Sequence, residues 1–191
     1  MTLPRSDQGW ISGVAGDGLV TIGDPRLKAP TAPVEDVADV GDLLETMTGR
    51  LRSLNGAGLA APQIGAQVKA VVVEVRRTDV FPDRPECPLT CMVNPVILER
   101  GDEEVLGWEG CFSVPGLMGL VPRAGSVLVS YVDQDGQRIE RAFEGYVARV
   151  VQHEIDHLDA VEFVDRMRDM TSLTTVQNYL DHHRETPVSQ R

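Results

Sequence analysis

The residues best placed to do chemistry stand together in the stretch VVQHEIDHLDA, 150–160, where His153, Glu154 and His157 form an HExxH pattern. Residues four apart on an α-helix are separated by about 40° around the axis and about 6 Å along it, so the two imidazoles project side by side and can hold one divalent ion. Glu154 lies one position on, where its carboxylate reaches beside such an ion and can take a proton from an activated water. Val150, Val151, Ile155 and Leu158 surround the two histidines. Polar groups among apolar neighbours are costly unless satisfied, and a metal would satisfy these.

A catalytic site of this type needs three protein ligands and one open position. The long metalloprotease signature places the third ligand further along the chain; Glu162 is available there, but no histidine follows before His182. The remaining soft donors are cysteines. Cys111 lies in WEGCFSVPG, 108–116, where Gly110 and Gly116 give the backbone freedom to approach a ligand. Cys87 and Cys91 lie in or beside a proline-rich stretch with no second Cys or His pair, and read as free thiols.

These residues need elements to carry them. Val37, Val40, Leu43, Leu44, Met47, Leu51 and Leu54 recur at helical spacing and predict a helix over 35–54, with Glu35 and Asp36 at its start and Asn55-Gly56 at its end. VKAVVVEV, 68–75, is rich in β-branched residues and reads as a strand, and 79–90 as a loop. Two strand-like runs flank Asp135-Gly136 within 125–143, a strong hairpin signal. A helix buried on most sides is expected over about 145–158, and a last helix over 171–183, with Thr171 or Ser172 as its cap. Strands without regular helix alternation point to an α+β fold with mostly antiparallel pairing.

A length of 191 residues suits a single domain spanning 1–191, with 1–20 a loosely ordered lead-in and 169–191 a C-terminal helix and tail. The net charge of −11 argues against direct nucleic-acid binding, which draws on clustered Lys and Arg. No stretch nears the roughly 18 apolar residues of a membrane span, and the N-terminus lacks a secretory pattern. The expected setting is a cytoplasm, where three cysteines stay reduced.

Three motifs, GAGLAAPQIG at 56–65, WEGCFS at 108–113 and QHEIDHL at 152–158, resemble the peptide deformylase family in type and order. With IGDPRLKAP and FVDRM, the resemblance covers roughly residues 20–168. It implies antiparallel sheets packed around a central HExxH helix, with a C-terminal helix. It implies a hydrolase that removes the formyl group from N-terminal formylmethionine of nascent polypeptides and releases formate. The metal ligands would be Cys111, His153 and His157, with Fe²⁺ the expected ion and Zn²⁺, Ni²⁺ or Co²⁺ alternatives. Glu154 would be the general acid and base. The Gln63 amide and the Phe112 N–H would bond the formyl oxygen, and the main chain of Gly58 and Gly110 would bind substrate. Val150 reads as one wall of the methionine pocket, and Glu109 with Arg123 as an ion pair steadying the Cys111 strand.

Ribosome association is a further candidate, although the tail from 165 carries balanced charge. Two residues depart from the family pattern, Phe112 where leucine is usual and Ala160 where glycine is usual. Trp108 reads as a packing residue bordering the cleft, and His182 and His183 as a solvated helix end.

Overall fold

The computed structural model describes residues 18–78, 82 and 84–184. The lead-in expected over 1–17 and the last tail residues, 185–191, lie outside these. The described chain folds into two antiparallel sheets and four helices. The strands are β1 (Gly58–Ala60), β2 (Ala70–Val75), β3 (Cys87–Arg100), β4 (Glu104–Cys111), β5 (Val114–Ala124), β6 (Ser126–Val132), β7 (Arg138–Glu144) and β8 (Thr174–Thr175). The helices are α1 (Gly41–Ser53), α2 (Gly145–Leu158), the one-turn α3 (Phe163–Arg166) and α4 (Val176–His182). The larger sheet runs β1-β2-β3-β6-β7 and the smaller one β4-β5-β8.

Strand β2 shows why the larger sheet sits where it does. Its alternate residues Val71, Val73 and Val75 join a buried cluster with Val151, Ile155 and Leu158 of α2. Ala70 and Val72, facing the other way, pack with Leu44, Met47 and Leu51 of α1. A strand covered on both faces is apolar throughout, and this one is buried at all six positions. Helix α2 is buried from Ala148 to Leu158, so its histidines cannot be surface residues.

The hairpin expected around Asp135-Gly136 is present as β6 and β7. Helix α1 is shorter than the 35–54 pattern, because Val37–Val40 winds first as a 3₁₀ turn with the Asp36 carboxylate accepting from the Ala38 N–H. It closes where expected: Asn55 takes a left-handed φ of 56°, and the Gly56 N–H returns to the Leu51 carbonyl. The last helix starts later than the 171–183 expectation. Thr174 and Thr175 pair with Met118 and Leu117 at the edge of β5, and Thr175, in place of Thr171 or Ser172, caps α4 through the Asn178 N–H.

The loop expected over 79–90 ends early, since Cys87 already opens β3. Pro95 deprives β3 of one N–H, and there the register with β6 shifts between Val93 and Val96. The neighbouring Asn94 turns to φ 50° and anchors its side chain on both Val34 backbone groups. Cys87 and Cys91 are buried free thiols in β3.

Candidate metal centre

Helix α2 brings His153 and His157 to one face, with ring centroids 5.0 Å apart. Cys111 ends β4, where the pairing with β5 becomes irregular between Gly110 and Cys111, and this turns its side chain toward the helix. Its Sγ lies 3.2 Å from His157 Nε2. The ligand atoms of Cys111, His153 and His157 all fall within 4.8 Å of one another, and all three residues are buried. A thiolate and two imidazoles in such a cluster are a donor set for a borderline-soft divalent ion.

The electrostatics agree with that use. His153 Nδ1 is 2.8 Å from Glu109 Oε2, which leaves Nε2 for the donor cluster. Burial works against a charged His153, but its hydrogen bonds to Cys111 and Glu109 outweigh that and hold its pKa well above the ordinary value. Burial and the neighbouring His153 push His157 well below it. The surroundings of His153 thus favour positive charge, which a divalent ion supplies as well as a proton.

Glu154 is buried at the cavity wall, and burial raises its pKa to about 7, against a smaller opposing pull from His153. Among the described residues its Oε2 has no hydrogen-bond partner. A buried carboxyl with a free oxygen and a pKa near neutrality can both take and return a proton.

Gln63 is held from behind, its Oε1 accepting from the Ala60 N–H at 2.8 Å. Its amide Nε2 therefore points inward, 3.3 Å from Cys111 Sγ and 3.2 Å from Ser113 Oγ. A cavity of about 500 Å³ opens onto these groups. Gly58, Gln63, Gly110, Cys111, Phe112, Val150, His153 and Glu154 all line it, while His157 lies behind them. Val150 serves two surroundings at once, since it also belongs to the core beneath α2.

The Phe112 ring turns into the cluster with α1 and lies over Gly56, so its side chain packs in the core while its backbone stays beside Cys111. Glu109 and Arg123 do pair, through two bonds of 2.9 Å. Beyond the pair expected from sequence, Arg123 also bonds Asp156, which Arg166 holds at 2.8 and 3.0 Å. Arg149 and Gln152 are further additions: Arg149 reaches Glu109, and Gln152 bonds both backbone groups of Ala124. Only the periodicity of α2, which puts Arg149 one turn before His153 and Gln152 one turn before Asp156, could have signalled them.

Trp108 lines the cavity and packs against Tyr179, as a packing residue bordering the cleft should. His183 departs from the solvated reading. It stacks on Trp108 with centroids 5.2 Å apart, because α4 folds back over β4 and β5.

Residues 17–172 match the family model described as polypeptide deformylase. A "Peptide deformylase 1" of Bordetella pertussis is 48% identical over 155 residues, covering 80% of this chain and 88% of that protein. A "Peptide deformylase 2" of Nostoc is 37% identical over 163 residues, covering 84% and 91%. A crystal structure of a class I type b peptide deformylase from Acinetobacter baumannii with Met-Ala-Ser bound superposes with a TM-score of 0.75 at 39% identity, covering 78% of this chain and 96% of that one.

Proposed function

Because the chain belongs to the peptide deformylase family, metal-dependent hydrolases that remove the formyl group from nascent polypeptides, we propose a specific division of labour among its residues. Cys111, His153 and His157 hold the ion, which we assign as Fe²⁺. The observation that carries the ligand set is the convergence of their ligand atoms within 4.8 Å beside Glu154, and Fe²⁺ follows from the family resemblance. When bound, the ion supplies a Lewis acid that makes water nucleophilic near neutral pH.

The remaining work falls to the chain's own groups. Glu154 takes the proton of the attacking water and delivers it to the leaving nitrogen, a dual duty that its pKa of about 7 suits. As the carbonyl carbon becomes tetrahedral, negative charge grows on the formyl oxygen. The Gln63 amide and the Phe112 N–H donate to that oxygen, and one such donor is worth about 3 kcal/mol of barrier. The main chain of Gly58 and Gly110 binds the peptide backbone, and Val150 walls the methionine side chain. A formyl carbon carries only hydrogen, so a close-fitting cleft admits it and rejects acetyl. Formate leaves, and the peptide keeps a free amine. Ribosome association would fit a nascent-chain substrate and belongs to the same reading.

Two variants separate binding from chemistry. Glu154→Gln should retain a full complement of metal and lose about 10²- to 10⁴-fold in kcat. Cys111→Ala should lose metal and activity together. Wild-type turnover in Glu154→Gln would remove its proton-transfer role.

A further inference from the structure

Two of the metal donors, His153 and His157, stand on α2, and the third, Cys111, ends β4. The spacing of helix and strand therefore fixes the donor triangle. Arg149 spans that gap. It sits one turn before His153 on the same helix face, buried, with its guanidinium over β4 and β5. Its Nη1 donates to Glu109 Oε1 at 2.8 Å and to the Val121 carbonyl at 2.8 Å. Its Nη2 donates to the Val105 carbonyl at 2.6 Å.

Glu109 completes a ring. One of its oxygens accepts from Arg149, and the other faces His153 Nδ1 at 2.8 Å, so two residues of α2 grip the same carboxylate of β4. Glu109 lies two positions before Cys111 in that strand. The strand also makes room for the guanidinium: a Cβ on Gly107 would stand 2.7 Å from Arg149 Cζ.

We propose that Arg149 is a positioning residue, a clamp that holds α2 on the β4–β5 hairpin and so sets the geometry of the Cys111, His153 and His157 centre. It acts through Glu109 and the two strands, without touching the reacting atoms. The planar fork reaches one carboxylate and two carbonyls in different directions, which a lysine ammonium cannot do. This inference rests on the ligand assignment above.

Cobalt-loaded full-length protein tests it, because Co²⁺ reports its geometry in visible absorption and the rate of its release to a chelator reports its hold. Arg149→Met should release Co²⁺ about 10-fold faster with shifted ligand-field bands, the low end of effects from groups supporting metal ligands. Arg149→Lys should fall between Arg149→Met and wild type. The double variant Arg149→Met/Glu109→Gln should release Co²⁺ more slowly than the two single effects combined would give, since both changes break one ring.

Gly107→Ala displaces the guanidinium without removing its charge and should also speed release, which keeps the test open if Arg149→Met does not fold. Wild-type spectra and release rates in folded Arg149→Met, or in Arg149→Lys and Gly107→Ala, would overturn the inference. So would additive effects of the Arg149 and Glu109 changes. If wild type itself shows no cobalt–thiolate band, the ligand assignment falls and this inference with it, an outcome distinct from failure in the variants alone.

Discussion

Glu154 owes its raised pKa to burial, and the main chain of Gly58 stands close against it. A Cβ at position 58 would stand 2.4 Å from Glu154 Oε1 and 2.6 Å from its Cγ. Glu154 is only 4% exposed, so its carboxyl cannot swing aside cheaply. Gly58→Ala should therefore displace the proton carrier and lower kcat about 100-fold with metal content unchanged. Parallel formate-release kinetics and metal analysis check this, and wild-type kcat in the variant would show that the carboxyl has slack. Sequence spacing alone paired His153, Glu154 and His157, because one helix carries them. Contacts such as Gly58 with Glu154 were illegible, since they join motifs far apart in the chain. Arg149 was hidden for another reason: its partners, Glu109 and the Val105 and Val121 carbonyls, stand on strands whose approach to the helix only the fold shows.

At the scale of elements, α2 closes with a hydrogen-bond pattern that favours glycine. The Val161 N–H returns to the Asp156 carbonyl and the Ala160 N–H to that of His157, while Ala160 takes a left-handed φ of 61°. An L-residue pays about 1 kcal/mol or more there. Ala160→Gly should raise stability by about 1 kcal/mol in denaturant titration and leave kcat unchanged; no gain would mean the turn is unstrained. The departure from glycine was visible in the sequence, and its conformational cost needed the structure.

Phe112, the other departure, proves to be a core residue whose ring packs against α1. Helix α2 and the β6–β7 hairpin were readable because their periodicity is uninterrupted. Strands β4 and β5 were not. Glycines at 107, 110, 116 and 119 dilute the β-branched signal while allowing Arg149 and the bulge at Cys111. The 171–183 pattern misled because Leu173 and Val176 fit one helical face yet pack in different clusters, Leu173 with Phe163 and Val176 with Tyr179.

For the whole molecule, acidic residues outnumber basic ones, yet those that hold elements together are paired. Glu74 of β2 is buried against Arg52 of α1, with both bonds at 2.8 Å. The Arg52 hydrogen bond, which outweighs burial, holds Glu74 below its ordinary pKa of 4.5. A depressed folded-state pKa contributes stability above the unfolded value and loses it as pH falls. The stability difference between wild type and Glu74→Gln should therefore be full at pH 7 and shrink below about pH 4.5. A difference independent of pH would contradict that linkage. Among the described residues no helix is long and apolar enough to cross a membrane. The fold class and the cluster of Cys111, His153 and His157 were legible together because ordered motifs tie distant segments to one chemistry.

The central claim is that this chain removes a formyl cap at the Cys111, His153 and His157 centre. Its most direct test is formate release by anaerobically purified, Fe²⁺-loaded protein given formyl-Met-Ala-Ser beside acetyl-Met-Ala-Ser. Formate from the first peptide at the rate of free-amine appearance, with no acetate from the second, is the predicted result. No formate from fully loaded protein, or equal hydrolysis of both peptides, would contradict the account.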